Sequence, residues 1–336
     1  MLTDVALRPG EEGWYAVAKA SELKAGRLLK RWLFGFPIVV FGSAKSPSIL
    51  VDRCPHRSAP LSTGRVVDGM VECPYHGWRF DGSGRCRKIP CLPGDPPPGK
   101  ATSLKALVRY GLVFARMGEG AAEPSPPILN GTRGFVHIWS GLAVKGRLAD
   151  VAENFLDATH TITVHRGLLR GPGAATPAKV IVTGRPGEIE VAYKGEGRPA
   201  GIIAMIFEGQ RKRAVGRFRG PNITDVEFHG KDGIRIACTS YLTPTQPGMV
   251  SGFAIFTVPG NPLTGRLKFL ALKPFATLVN RQDMRILNST DDNHALFGRP
   301  PHVVAPTDYA ASGIAAILEG ELPPAAGNQR TLDVLL

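Results

Sequence analysis

The sequence predicts an α+β protein of two domains, an all-β N-terminal unit followed by a sheet with helices segregated before and after it. Three observations carry this prediction. The chain has 336 residues, too many for one small module and enough to bury a sizeable core. Its 40 glycines and 29 prolines are spread along the chain, as short strands and turns require. The longest helical pattern comes late, after the β-rich runs. Hydrophobic residues at 43% and charged residues at 21% exclude a largely disordered chain, a collagen and a coiled coil.

Residues 14–118 read as short strands between turns: WYAVA, WLFGFPIVVFG, SILVD, MVECP and YGLVFARMG. FDGSGRC at 80–86 carries Asp-Gly and Ser-Gly pairs and predicts a hairpin. LPGDPPPGK at 92–100 is loop, because each proline removes a donor and restricts the residue before it. The Pro-rich break AAEPSPPILNG at 121–131 has the composition of a linker, so the first domain is placed at 1–122, the linker extends to about 131, and the second domain is 132–336. DVAENFLDATHTI at 150–162 predicts a helix. KVIVTG, IEVAYKG, IRIACTSYL and SGFAIFTV supply strands within 178–258, and 262–292 predicts a long helix despite Pro274. No internal repeat is present.

Lys+Arg 41 against Asp+Glu 28 gives +13, a balance that favours acidic partners without choosing among them. No apolar run approaches the roughly 18–20 residues of a membrane span, so no transmembrane segment is expected. The N-terminal MLTDVALRPGEEGWYAVA lacks a basic, apolar and cleavable leader, which predicts a reducing, cytoplasmic location. Five cysteines are an odd count and a poor disulfide framework, and are read as metal ligands or buried thiols.

Cys54-Pro-His56 is followed after sixteen residues by Cys73-Pro-Tyr-His76, one cysteine and one histidine on each of two loops. A zinc finger keeps its two cysteines together and its two histidines together, whereas these alternate. A [2Fe–2S] centre of the Rieske type takes two thiolates on one iron and two imidazoles on the other, and each loop donates one ligand to each iron. CPHRSAPLSTG at 54–64 and CPYHGWRFDGSG at 73–84 resemble the two cluster-binding loops of Rieske non-haem iron oxygenases. Respiratory Rieske proteins carry a further cysteine in each loop, and neither loop has one here. Cys86, Cys91 and Cys238 lack a paired histidine and read as ordinary thiols.

A cluster moves single electrons but binds no substrate, so a second site is needed. Glu153-Asn154-Phe155-Leu156-Asp157-Ala158-Thr159-His160 continues to His165. Two imidazoles and a carboxylate on one face of Fe(II) leave positions open for dioxygen and substrate. Residues i and i+5 sit about 140° apart on an ideal helix, so His160 and His165 share an ion only if the helix widens or ends between them. The β-branched run Thr161, Ile162, Thr163, Val164 weakens the helix there. Asp157, three residues before His160, can accept its free ring N–H.

This segment resembles the D-x-x-H-x4-H motif of the same oxygenase family, whose carboxylate ligand lies on the long C-terminal helix. Gln282-Asp283-Met284-Arg285-Ile286-Leu287 matches that pattern and nominates Asp283. Asp291 and Asp292 compete from the polar stretch NSTDDN, which reads as a helix end with solvated side chains. His137, His229, His294 and His302 are not read as ligands. The resemblance runs from about Trp14 to about Leu287 and implies an N-terminal all-β Rieske domain, an α+β helix-grip catalytic domain and a head-to-tail homotrimer. It further implies that electrons cross between subunits, that Asp157 bridges His160 to a His76 of the adjacent chain, and that Asn154 lies near the iron.

The leading expectation is the terminal oxygenase of a multicomponent system, fed from NAD(P)H by a reductase, with or without a ferredoxin. The chain has no G-x-G-x-x-G after a strand and so is not expected to bind the nicotinamide. Length and motif style resemble the monooxygenase and demethylase branch; the alternative is a ring-dihydroxylating dioxygenase. A Rieske electron carrier has no use for the second domain. Arg211, Lys212, Arg213, Arg217 and Arg219 lack interleaved aromatics, which argues against nucleic acid and for a solvated face or a docking surface for an acidic redox partner. GIIAMIFEG at 201–209 and GFAIFTVPG at 252–260 are apolar and favour a hydrophobic, ring-containing substrate.

Overall fold

The structure is a computed structural model, and it describes residues 7–96, 98–119, 123–141, 143–170, 176–195, 212–299 and 303–336. The chain divides into two compact units, one of Glu12–Ser125 with Met1–Leu7 and Thr243–Pro247, the other of Arg8–Glu11, Pro126–Leu242 and Gly248–Leu336. Among the described residues no helix is long and apolar enough to cross a membrane.

The first unit is built from three small antiparallel sheets. Its strand Phe36–Gly42 (FPIVVFG) sends Ile38 and Val40 into one core and Val39 and Phe41 into another. Burial on both faces explains why this segment reads as a continuous apolar run rather than an alternating one. The expected single run 32–42 is in fact a hairpin: Leu33 pairs with Phe36, and the two residues between them are both left-handed, Phe34 at φ 47 and Gly35 at φ 81. Gly35 takes that conformation freely, as a two-residue primed turn requires. Phe34 is held in it by its N–H to the Pro244 carbonyl and an edge-on contact with the Tyr15 ring at 4.9 Å. The second core, containing Phe41, Leu50, Phe80, Cys54 and Cys73, lies directly beneath the two predicted cluster loops. The FDGSGRC hairpin forms between Arg79–Phe80 and Cys86–Lys88.

The second unit is an antiparallel sheet running from Gly134–Ser140 through Met249–Pro259, Gly233–Pro244, Ile223–Gly230, Arg213–Arg219, Glu188–Lys194 and Pro177–Arg185 to Arg330–Leu335. Helices α1 (Leu148–Leu156), α2 (Pro262–Phe297) and α3 (Ala311–Leu318) complete it. Leu148, Val151, Ala152 and Leu156 of α1 pack with Ile314 and Ile317 of α3 against Val180, Val191 and Phe218 of the sheet. Gly216 permits the close approach, since a Cβ there would lie 3.2 Å from Leu156 Cα. Two expectations change. The helix over 150–162 ends at Leu156, because Asp157 is extended and Thr159–Ile162 is a separate tight turn. Beyond α2 the chain adds α3 and an edge strand, both too short to be read from periodicity.

On one sheet face Arg213 and Arg217 pair with Glu190, Arg217 also with the buried Glu227, and Arg219 with the buried Asp225. These three arginines of the predicted basic cluster are therefore committed within the fold, not free for a partner. Arg211 and the apolar segment 201–209 lie outside the described residues.

Candidate metal centres and cavity

The two loops of the first unit share one backbone design. Cys54 N–H bonds the Ala59 carbonyl and Ser58 N–H bonds the Cys54 carbonyl; Cys73 N–H bonds the Trp78 carbonyl and Gly77 N–H bonds the Cys73 carbonyl. Four residues after each cysteine the chain turns left-handed, at Ser58 with φ 60 and Gly77 with φ 68. CPHRSA and CPYHGW thus make the same ring with different residues, and the histidine falls at the second place in one and the third in the other. Both thiols are buried and unpaired by disulfide, while His56 and His76 stand at the surface with ring centroids 4.6 Å apart. Burial, followed by the neighbouring Cys73, pushes the Cys54 thiol up to about 11. Two adjacent buried thiols in an apolar shell need a metal group to be held as thiolates, and two outward imidazoles complete the Rieske donor set. Trp78 stacks on His56 at 4.6 Å with only 6° between planes, and Asp52 ties the first loop down through the Ser62 N–H and hydroxyl.

The second centre follows from the break in α1. Because the helix stops at Asp157, His160 and His165 leave the α1 surface and turn toward each other, Nε2 to Nε2 at 3.3 Å. Asp283 of α2 brings its Oδ1 to 2.9 Å from His165 Nε2 and 3.4 Å from His160 Nε2. Ligand atoms about 2.1 Å from one ion and mutually at right angles lie about 3.0 Å apart, the spacing found here. The rings are oriented from behind: His160 Nδ1 faces Asp157 Oδ2 at 3.3 Å and His165 Nδ1 faces Gln282 Oε1 at 2.9 Å. With the Nδ1 protons assigned to those acceptors, both Nε2 lone pairs point at Asp283 Oδ1, itself buried without a hydrogen-bond partner. Three converging lone pairs demand a cation, and two imidazoles with one carboxylate fit a facial Fe(II) site. Without the metal a proton takes its place: burial lowers the His160 pKa, but the adjacent carboxylates of Asp157 and Asp283 outweigh it and raise it to about 9.

Asp157 is held below the usual carboxylate range, burial being outweighed by His160 and by the Thr159 N–H and hydroxyl. Tyr193 brackets it: its hydroxyl donates to the Leu156 carbonyl at 2.5 Å and accepts the Ala158 N–H at 3.0 Å. Neither Tyr193 nor Gln282 was nominated as a site residue from sequence. Gln282 meets His165 from 117 residues away, and adjacency to Asp283 was its only signal. The competing carboxylates lie elsewhere, Asp291 paired with Arg299 at 2.6 Å and Asp292 with Lys145 at 2.5 Å.

The histidines and Asp283 line a cavity of about 710 Å³ between the sheet and α2. Its walls are mainly apolar, including Trp139, Phe155, Phe228, Phe256 and Phe269, and Asn154 also lines it. Gly252, Ala254, Phe256, Val258 and Pro259 come from the segment 252–260 that the sequence nominated as pocket wall. Burial pushes the Cys238 thiol on that wall up to about 12, so it remains neutral.

A Rieske fold, with a facial ligand triad beside an apolar cavity in the second unit, is similar to the arrangement the sequence resemblance implies, and comparison with known proteins shows the same likeness. The profile of the Rieske [2Fe-2S] domain matches residues 13–106. Chlorophyllide a oxygenase of Chlamydomonas reinhardtii is 38% identical over 169 residues, covering 47% of this chain and 26% of the relative. Flavonoid 8-hydroxylase 2 of Ocimum basilicum is 44% identical over 298 residues, 80% of this chain and 54% of the relative. Dicamba monooxygenase bound to dicamba superposes with TM-score 0.76 at 20% identity, over 93% of this chain and 97% of that one, and so shares the fold. Across such curated relatives the chain spans from 26% to 57% of their length. The chain carries a Rieske [2Fe–2S] domain and is a relative of the Rieske oxygenase alpha components.

Proposed function

We propose that this chain is the terminal oxygenase of a multicomponent system that hydroxylates or oxidatively demethylates a hydrophobic, ring-containing small molecule. The observation that carries the reading is the convergence of His160, His165 and Asp283 on one point in the wall of an apolar cavity. Bound there, iron with dioxygen supplies the oxygen-transfer chemistry, and the cluster on Cys54, His56, Cys73 and His76 supplies single electrons. The chain's own residues do the rest. Asp157 and Gln282 fix the two imidazoles, the aromatic walls exclude water and hold the substrate, and Asn154 offers a polar contact beside the reacting end.

Electrons come from NAD(P)H through a separate reductase, with or without a ferredoxin. The acidic partner docks where His56 and His76 reach the surface beside the exposed Arg53 and Arg57. In a head-to-tail homotrimer, Asp157 links His160 to His76 of the partner subunit. We place the activity in a reducing, cytoplasmic compartment, where Cys54 and Cys73 stay available to the cluster. Hydroxylase, demethylase and monooxygenase among the names of similar proteins favour monooxygenation over ring dihydroxylation.

The test is turnover with labelled dioxygen and a reductase over a panel of aromatic and polycyclic compounds. One labelled atom in the product, or loss of a methyl group as aldehyde, is expected. Two labelled atoms in a cis-diol would support the dioxygenase alternative, and no substrate-dependent oxygen uptake by the reduced protein would overturn the oxygenase reading.

A further inference from the structure

Helix α2 has two apolar faces, and only the inner one is covered. That face holds Gly265 and Phe269, buried against the strands Gly134–Ser140 and Met249–Pro259. A Cβ at Gly265 would lie 2.7 Å from Phe135 Cβ, and the Phe269 ring is 5.4 Å from that of Phe256. The outer face carries Leu263, Leu267, Leu270, Pro274 and Leu278, spaced by 4, 3, 4 and 4 residues, which places them within about 80° of one another on a helix of about 3.6 residues per turn. The four leucines are 67%, 61%, 52% and 44% exposed. They make a stripe about 22 Å long at the helical rise, open to solvent.

Only one sign of charge borders this stripe. Residues 262–282 hold four cations, Arg266, Lys268, Lys273 and Arg281, and no aspartate or glutamate, and the two strands beneath hold no acid either. At about 100° per residue, Arg266 and Lys273 lie along one edge of the stripe, Lys268 along the other, and Arg281 at its end. All four are exposed, and their side chains have no ion pair or hydrogen bond among the described residues. Arg213, Arg217 and Arg219 of the sheet, by contrast, each meet a carboxylate. Leucines rimmed by unpaired cations suit an anionic lipid surface, where apolar side chains reach the acyl boundary and Lys and Arg extend to the phosphates.

We propose that the outer face of α2 docks on an anionic lipid bilayer, with the leucine stripe entering the acyl boundary and the flanking cations meeting headgroup phosphates. The helix then lies along the surface and does not cross it, which its length and polarity forbid. A second copy of this chain packed on the same face about a two-fold axis would set these cations against their own copies, and like charges across an interface repel. Protein interfaces concentrate their energy on Trp, Tyr and Arg at the centre, whereas here the centre is leucine and the arginines sit at the rim; a bilayer needs only apolar area. The inner side of the same helix lines the cavity through Leu272, Ala276 and Val279, so under the oxygenase reading an apolar substrate dissolved in the bilayer enters beside the surface it leaves. The docking itself does not depend on that reading.

The test is flotation of the iron- and cluster-loaded protein with phosphatidylcholine vesicles, with or without about a quarter phosphatidylglycerol. Wild type should bind the anionic vesicles about tenfold or more tightly than the neutral ones, and should be released as salt is raised from about 0.05 M to about 0.5 M. Leu267→Ser with Leu270→Ser, and separately Arg266→Gln with Lys273→Gln, should each weaken binding to anionic vesicles about tenfold or more. Leu322→Ser, at a leucine 62% exposed outside the helix, should leave it within about twofold. No binding to anionic vesicles, equal binding to neutral ones, or binding that survives either double variant would overturn the proposal. So would self-association of the wild-type chain, or capture of an acidic ferredoxin, that the leucine variant abolishes while vesicles stay unbound, since the face would then belong to a protein contact. Iron content and cluster absorbance on the same samples report the oxygenase reading separately: failure to hold iron at His160, His165 and Asp283 counts against that reading, whatever the vesicles do.

Discussion

Gln282 offers the sharpest test of how the iron site is built. His165 is 1% exposed, and its Nδ1 lies 2.9 Å from Gln282 Oε1. Gln282→Leu keeps the bulk and removes the acceptor, so a buried ring N–H loses its partner. An unmet buried donor costs about 1–3 kcal/mol. At about 1.4 kcal/mol per decade this is roughly a five- to hundredfold loss, in line with the 10–100-fold typical of groups that orient a metal-bound histidine. The measurement is anaerobic titration of Fe(II) against a competing chelator, on protein whose cluster absorbance shows the first unit intact. Gln282→Leu should weaken iron by about tenfold or more. Gln282→Glu, which keeps an oxygen at the same place, should retain most of the affinity. Leucine within twofold of wild type, or glutamate as poor as leucine, would refute orientation through this bond.

Asp283→Ala should lose iron and turnover while keeping the cluster colour, because only one of the two centres uses it; metal analysis and visible absorbance decide, and loss of both would count against separate sites. Asp157→Asn should retain both metals yet fail to oxidise the pre-reduced cluster in a single turnover with substrate and dioxygen; wild-type cluster oxidation and product yield would remove the bridging role. Tyr193→Phe leaves the Leu156 carbonyl, the Ala158 N–H and the Tyr309 hydroxyl without their shared partner, so urea unfolding should show about 2–3 kcal/mol less stability, and a loss under about 0.5 kcal/mol would contradict the clamp. Burial, then Asp157, Asp308 and Asp150, raises the Glu153 carboxyl from 4.5 to about 7, so its favourable contribution is complete below pH 4.5 and lost as pH rises through 7. Glu153→Gln should accordingly raise Tm relative to wild type at pH 8 and little at pH 4.5; an equal gain at both would exclude titration as the cause.

Much of this was legible because the chemistry repeats in the sequence. The alternation of Cys54, His56, Cys73 and His76 needs no structure to pair one thiol and one imidazole per loop. The strain between His160 and His165 was legible too: positions five apart on a helix cannot share an ion, and the β-branched run signalled that the helix fails. What periodicity could not supply was the place of failure, since Asp157, not Thr161, ends α1. Nor could it supply contacts between residues far apart in sequence, such as Gln282 with His165 and Tyr193 with Leu156. The basic run around Arg213 misled for the same reason, because Glu190, Asp225 and Glu227 arrive from neighbouring strands. In the first unit the apolar run 32–42 hid a hairpin, because Phe34 occupies a turn position that ordinarily calls for glycine or asparagine.

Asp157 joins these observations. As the residue that closes α1 it is extended, and this turns His160 toward His165. Its Oδ1 is taken up at 2.6 Å by both the Thr159 N–H and the Thr159 hydroxyl, while Oδ2 meets His160 N and Nδ1 only at 3.3 Å each. A carboxylate has about four lone-pair sites, so all are in use within one chain, but unequally. Thr159 anchors one oxygen firmly and leaves the other on two long contacts. Oδ2 is thus the oxygen that can shorten to the His160 imidazole, or share its density with an imidazole arriving from outside, without releasing the loop. A residue serving only as a helix terminator has no need of that asymmetry. One that must respond to His160 while keeping the turn fixed does, and Thr159 and Tyr193 hold the turn on either side of it.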